Sequence, residues 1–165
     1  MDRPKFLVDR MLGRLVAWLR IFDYDTLSAL ELDIGGDEDA GLVQKALEQG
    51  RVLVTRDRAL LERARKAGAS AVHITPDDVK EQLCELMRHY PLEADPVMER
   101  CTACNALLRM AAPGDADRIR AGVPAHLIDE GKELWMCDRC GKIYWQGSHW
   151  RNIKKLAGDV RDCRK

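Results

Sequence analysis

Phe6-Leu7-Val8-Asp9-Arg10-Met11-Leu12-Gly13-Arg14-Leu15-Val16-Ala17-Trp18-Leu19-Arg20 sets a short apolar run, an aspartate and a helical pattern in succession. Residues 5–8 read as a strand. Over 11–22, Leu12, Leu15, Val16 and Leu19 fall on one face at 3.6-residue spacing, which predicts a helix. The same unit returns downstream, with strands predicted over 51–55 and 71–74 and a weaker one over 25–30. Helical spacing fills the intervals at 42–49, 58–66 and 79–89, and Gly50 and Gly68 follow helices where a left-handed cap is wanted. Strands and helices alternating across short connections predict βαβ units and a parallel sheet.

The whole chain has 165 residues, 46% of them apolar and 33% charged, with 12 glycines and 6 prolines. That composition fits one domain with an appendage and excludes disordered or collagen-like structure. The apolar run 15–19 is bounded by Arg14 and Arg20, far short of the ~20 residues a membrane helix needs. A soluble protein with no membrane partner is therefore expected. The first nine residues lack an apolar signal-peptide core, so a reducing, cytoplasmic setting is expected as well. The formal charge is zero, but residues 1–95 carry 14 basic and 18 acidic side chains against 13 and 9 in 96–165. The basic excess sits in 151–165, in Arg151, Lys154, Lys155, Arg161, Arg164 and Lys165.

Around Pro91 and Pro96 the alternation stops, which divides the chain into an α/β domain (1–95), a cysteine-containing unit (96–150) and a basic tail (151–165). Cys101-x-x-Cys104 and Cys137-x-x-Cys140 are separated by 32 residues, two knuckles that can close one tetrahedral zinc site. Asn105 and Gly141 follow the pairs, the residue types that best tolerate the left-handed turn a knuckle needs. Four thiolates leave no open position, so this zinc would be structural. Cys84 lies on the apolar face of the 79–89 helix and reads as a small buried hydrophobe, and Cys163 as an exposed bystander. Strands are predicted near 133–136 and 142–145, and a last helix from an N-cap at Ser148 to about Leu156.

Asp9 and Asp57 follow strands directly, so both carboxylates belong at the carboxyl ends of parallel strands, where open α/β sheets place ligands. Asp37, Glu38 and Asp39 precede the helix expected near Leu42 and offer a third acid. Each aspartate could instead cap a helix, but three converging carboxylates would repel unless a hard cation, Mg²⁺ or Mn²⁺, neutralised them. No glycine-rich phosphate loop is present, so no nucleotide cofactor is expected. Trp135, Tyr144, Trp145 and Trp150 lie among the C-terminal cations and suit either base stacking or a small core. His149 is a further candidate contact to RNA.

The opening stretch through Arg20 with Tyr24-Asp25, then Asp39-x-x-Leu42, Val52-Leu-Val-Thr55-Arg56-Asp57, and Cys137-x-x-Cys140-Gly-Lys with Tyr144-Trp145-x-Gly147-Ser148-His149, resembles the successive landmarks of the Mut-seven C-terminal RNase family. The resemblance runs from about residue 5 to 150. It implies a PIN-like three-layer sandwich with a central parallel sheet, followed by a zinc ribbon. It also implies a divalent-metal ribonuclease with catalytic acids at Asp9, Asp39 and Asp57, Asp37 competing as a ligand, and Asp77 or Asp78 for a fourth acid. Single-stranded RNA is the expected partner. Arg14, Arg56, His149, Lys154 and Lys155 are candidate substrate contacts. A non-catalytic RNA-binding adaptor is the alternative, as is a toxin-type PIN nuclease, which the ribbon disfavours.

Overall fold

The structure, a computed structural model, describes residues 3–163. Arg164 and Lys165 of the basic tail lie outside the described residues. Strands β1 (Lys5–Val8), β2 (Thr26–Ser28), β3 (Arg51–Thr55) and β4 (Ala71–His73) pair in parallel in the order β2-β1-β3-β4. Side chains alternate along β1 and β3, so each central strand feeds two apolar layers. Phe6, Val8, Val52 and Val54 enter one core, where helices α1 (Gly13–Ile21) and α4 (Val79–His89) supply Leu15, Leu19, Leu83 and Leu86. Leu7 and Leu53 enter the other, against Leu42, Ala46 and Leu60 of α2 (Glu38–Gln49) and α3 (Arg58–Lys66). The result is the expected three-layer α/β architecture. Gly50 caps α2 at φ +60° and Gly68 follows α3 at φ +83°, as expected.

Three local expectations are corrected. The 11–22 helix is broken at its start, because Arg10–Leu12 form a 3-10 turn capped by Asp9 before α1 begins. Helix α2 starts at Glu38 instead of near Leu42: Asp37 caps it through Ala40 N, and Glu38 and Asp39 sit in the first turn, where the helix dipole favours acids. Cys84 and Cys163 are neither a simple hydrophobe nor a bystander. They form a disulfide with Cα atoms 5.6 Å apart.

The second sheet is antiparallel, β5 (Arg109–Met110), β6 (Leu134–Met136) and β7 (Ile143–Trp145), with short helices α5 (Ala116–Gly122) and α6 (Ala125–Asp129) between its first two strands. Arg109 straps it together, pairing with Asp115 and Asp138. The last helix, α7, runs Ser148–Asp162, longer than expected and capped at Gly147, not Ser148. Its extra turns carry Ala157 and Val160 into the first core beside α4, which is why the helix does not end at Leu156.

The connection between the two sheets is packed and hydrogen-bonded. Leu92 and Ala94 are buried in the first core, and Val97 N donates to Ile21 O. Arg20, only 1% exposed, donates to Thr26 O, to Glu31 and, across the junction, to Thr102 O. Asn105 donates to Asp25 and accepts from Thr26 N. Burial works against ionisation of Asp25, yet the Arg51 and Asn105 hydrogen bonds outweigh it and hold its carboxyl below the usual range. Its contribution to stability is thus complete above the unfolded pKa of about 3.9 and is lost as pH falls through the lower folded value. Arg20→Ala leaves buried carbonyls on both sides of the junction without donors. It is expected to cost about 3–5 kcal/mol in urea unfolding.

Candidate active site and metal centre

Parallel strands end together, and the β1 and β3 ends bring the acids close. Asp9 N donates to Val54 O, extending the ladder one residue past β1. Thr55 Oγ1 then donates to Asp9 Oδ2 at 2.8 Å and accepts from Asp57 N at 2.9 Å, so one hydroxyl ties the two acidic positions. Asp9 Oδ1 accepts from its neighbour Arg10 N, which fixes the carboxylate. Asp57 caps α3 with Oδ1 alone, through Ala59 N and Leu60 N, and its Oδ2 has no hydrogen bond among the described residues.

The three competing acids of α2 are separated by their partners. Asp37 is held by the Arg63 guanidinium and by Ala40 N, and Arg63 pulls its carboxyl below the usual range. Glu38 is paired with Arg10. Asp39 makes no side-chain hydrogen bond or ion pair among the described residues. Its carboxyl is raised above the usual range, first by burial and then by repulsion from Asp57, Asp37 and Asp9. Asp9, Asp39 and Asp57 are therefore electrostatic neighbours. They are not gathered into one coordination sphere: among the described residues only four cysteines have ligand atoms that all lie within 4.8 Å of one another.

Around this edge, Arg56 is engaged by Asp77 and Thr75 O, and Asp78 caps α4. Neither Asp77 nor Asp78 joins the acidic group. Arg14 is exposed in the first turn of α1, without an ion pair among the described residues. Sequence reasoning missed Thr55 and Arg63. The Thr-x-Asp spacing after a strand was the available signal for the first; the second needs the α2–α3 packing.

The cysteine cluster is Cys101, Cys104, Cys137 and Cys140. Its Sγ atoms approach to 3.6 Å (Cys101–Cys140) and 3.4 Å (Cys104–Cys137), close to the about 3.8 Å that tetrahedral Zn–S bonds of about 2.3 Å require. Asn105 (φ +69°) and Gly141 (φ +79°) are left-handed, as the knuckle reading expected. Burial opposes ionisation of Cys101, but hydrogen bonds from the Tyr144 hydroxyl and nearby amides bring its thiol down to about 7. Burial pushes Cys104 up to about 12 and Cys140 in the same direction. Four thiolates ionised together at neutral pH need a cation among them, and this set fits zinc.

The two sites lie at opposite ends of the parallel sheet. The 101–105 knuckle docks on Asp25 and Thr26 at the strands' amino ends, whereas the acids stand at the carboxyl ends. The four residues of β1 separate these edges by about 13 Å. His149, Lys154 and Lys155 belong to α7, His149 in its first turn and the lysines one to two turns on, all exposed.

A three-layer α/β domain with acids at its strand ends, joined to a ribbon whose four clustered thiols are close enough to hold a zinc ion, defines the class of the protein. The family model described as the Mut7-C RNAse domain matches residues 4–157, and the chain belongs to that family. Comparison with curated proteins and with solved structures returns no match. Membership suggests a ribonuclease-type function with RNA as substrate. No helix among the described residues is long and apolar enough to cross a membrane.

Proposed function

We propose that the chain hydrolyses phosphodiester bonds of single-stranded RNA at the carboxyl edge of its parallel sheet, using Mg²⁺ or Mn²⁺ that draws together the neighbouring, mutually repelling carboxylates of Asp9, Asp39 and Asp57. The observation that carries this reading is the Thr55 hydroxyl joining Asp9 to Asp57 at two neighbouring strand ends, in a member of a ribonuclease family. Asp39 supplies the third acid because its carboxylate is uncommitted, whereas Asp37 and Glu38 are held by arginines. An all-oxygen donor set whose members repel one another suits a hard cation. Such a cation, when bound, polarises a phosphate and lowers the pKa of a coordinated water.

Within the chain, Thr55 and Arg10 N orient Asp9, and the α3 cap orients Asp57 with one oxygen free. Arg14 and Arg58 are exposed and without ion pairs among the described residues, so both are open to a phosphate; Arg56 becomes available only if it leaves Asp77. The clustered thiols would hold zinc as a structural element, remote from the reacting phosphate. Two substitutions on α2 test the assignment. Asp37→Ala removes a cap and is expected to cost about 1 kcal/mol of stability, with cleavage kept within about threefold of wild type. Asp39→Asn is expected to abolish cleavage with no loss of stability. The reverse pattern would make Asp37 the ligand.

A further inference from the structure

Where ribbon, junction and α/β domain meet, a cavity of about 250 Å³ is walled by Ile21, Met98, Leu108, Trp145, Trp150 and Ile153. It adjoins an open cleft of about 590 Å³ that shares Trp145 and His149 with it. The Trp150 Nε1–H is buried and has no hydrogen-bond partner among the described residues. That nitrogen has no solvent-accessible surface, so it faces packed side chains, and what Trp150 offers to the cavity is its ring. The Trp145 indole is backed by Gly147, where a Cβ would stand 3.0 Å from its Nε1 and 3.2 Å from its Cδ1.

Beyond the cavity, α7 turns outward Arg151, Lys154 and Lys155, spaced three and four residues apart on one face and all exposed. Among the described residues, the ion pairs Lys80–Asp159 and Arg161–Asp95 of α7 leave these three cations unused. An apolar slot walled by indoles, with unspent cations outside, matches a flat heterocycle on an anionic backbone.

We propose that this cavity anchors one unpaired base of single-stranded RNA, with its neighbouring phosphates on the Arg151, Lys154 and Lys155 face. The proposal rests on the ribonuclease reading of the chain. It deepens that reading, because the cavity borders Arg100 and Thr102 at the amino end of the sheet, opposite the acids. RNA is then gripped at one end of the domain and cut at the other, and an oligonucleotide too short to span both ends is held weakly.

The test is titration of 2-aminopurine-labelled single-stranded RNA into the full chain carrying Asp57→Asn, which keeps the RNA intact. Quenching of the base on binding is expected. Trp145→Ala should raise the Kd about tenfold, and Trp150→Phe, which keeps an aromatic wall, by less, neither changing the salt dependence. Replacing Arg151, Lys154 and Lys155 by Ala should reduce the steepness of log Kd against log salt by about 2. Trp150→Phe retains a ring, and the zinc content of each variant shows whether the ribbon is intact. No RNA binding, unquenched 2-aminopurine, or wild-type affinity in both indole variants with intact zinc overturns the proposal. Wild-type chain that binds RNA in the expected way but never cuts it removes the catalytic reading and leaves the anchor. Cutting by a chain whose indole variants bind normally removes the anchor alone.

Discussion

Asp57→Asn is expected to lower RNA cleavage by about 100-fold or more while the melting temperature stays within about 3 °C of wild type. The separation of the two readouts follows from geometry. Asp57 Oδ1 accepts from Ala59 N at 2.7 Å and Leu60 N at 3.2 Å, and asparagine is as good an N-cap as aspartate. The amide therefore keeps α3 in place. What it removes is the negative charge, and with it a ligand for a hard cation and one source of the repulsion that raises Asp39. Asp57→Ala would be a poorer probe, because losing the cap costs about 1 kcal/mol and mixes stability with chemistry. Equal loss of melting temperature and activity in Asp57→Asn would assign the residue to capping alone.

Zinc removal is expected to produce the largest structural effect. A structural zinc contributes on the order of 10 kcal/mol to the fold of a small module, and the three short strands of this ribbon surround little apolar core. The loss should spread, because Thr102 and Asn105 beside the first knuckle dock on Arg20, Asp25 and Thr26. One zinc per chain is expected in elemental analysis, with Cys137→Ser abolishing it and unfolding β5–β7 by circular dichroism and tryptophan fluorescence. Raised thiols such as Cys104, pushed up to about 12, must lose protons on binding, so acidification should release the metal. A metal-free chain that melts like the loaded one would contradict this.

The features legible in the sequence are those that depend on nearest neighbours along the chain. Strand β3 is five consecutive buried residues and was readable as an apolar run; Asp9 and Asp57 were readable as strand-end acids; Asn105 and Gly141 announced left-handed turns. Asp39 could not be told from Asp37, because their difference lies in Arg63, an α3 side chain 26 residues from Asp37. The length of α7 was hidden because Ala157 and Val160 find their burial against α4, and the Cys84–Cys163 link depends on the same packing. Least legible was the docking of the ribbon on the amino edge of the sheet. It is made by Arg20, Asp25 and Asn105, polar residues whose partners lie about 80 positions away and leave no periodic trace.

The measurement that bears most directly on the proposed activity is cleavage of end-labelled single-stranded RNA by the zinc-loaded chain, with and without added Mg²⁺ or Mn²⁺, beside Asp57→Asn purified identically. The expected result is cleavage that requires the added metal and is absent from the variant. RNA that is bound equally by both proteins and left intact with either metal would contradict the nuclease assignment and make the chain an RNA-binding adaptor.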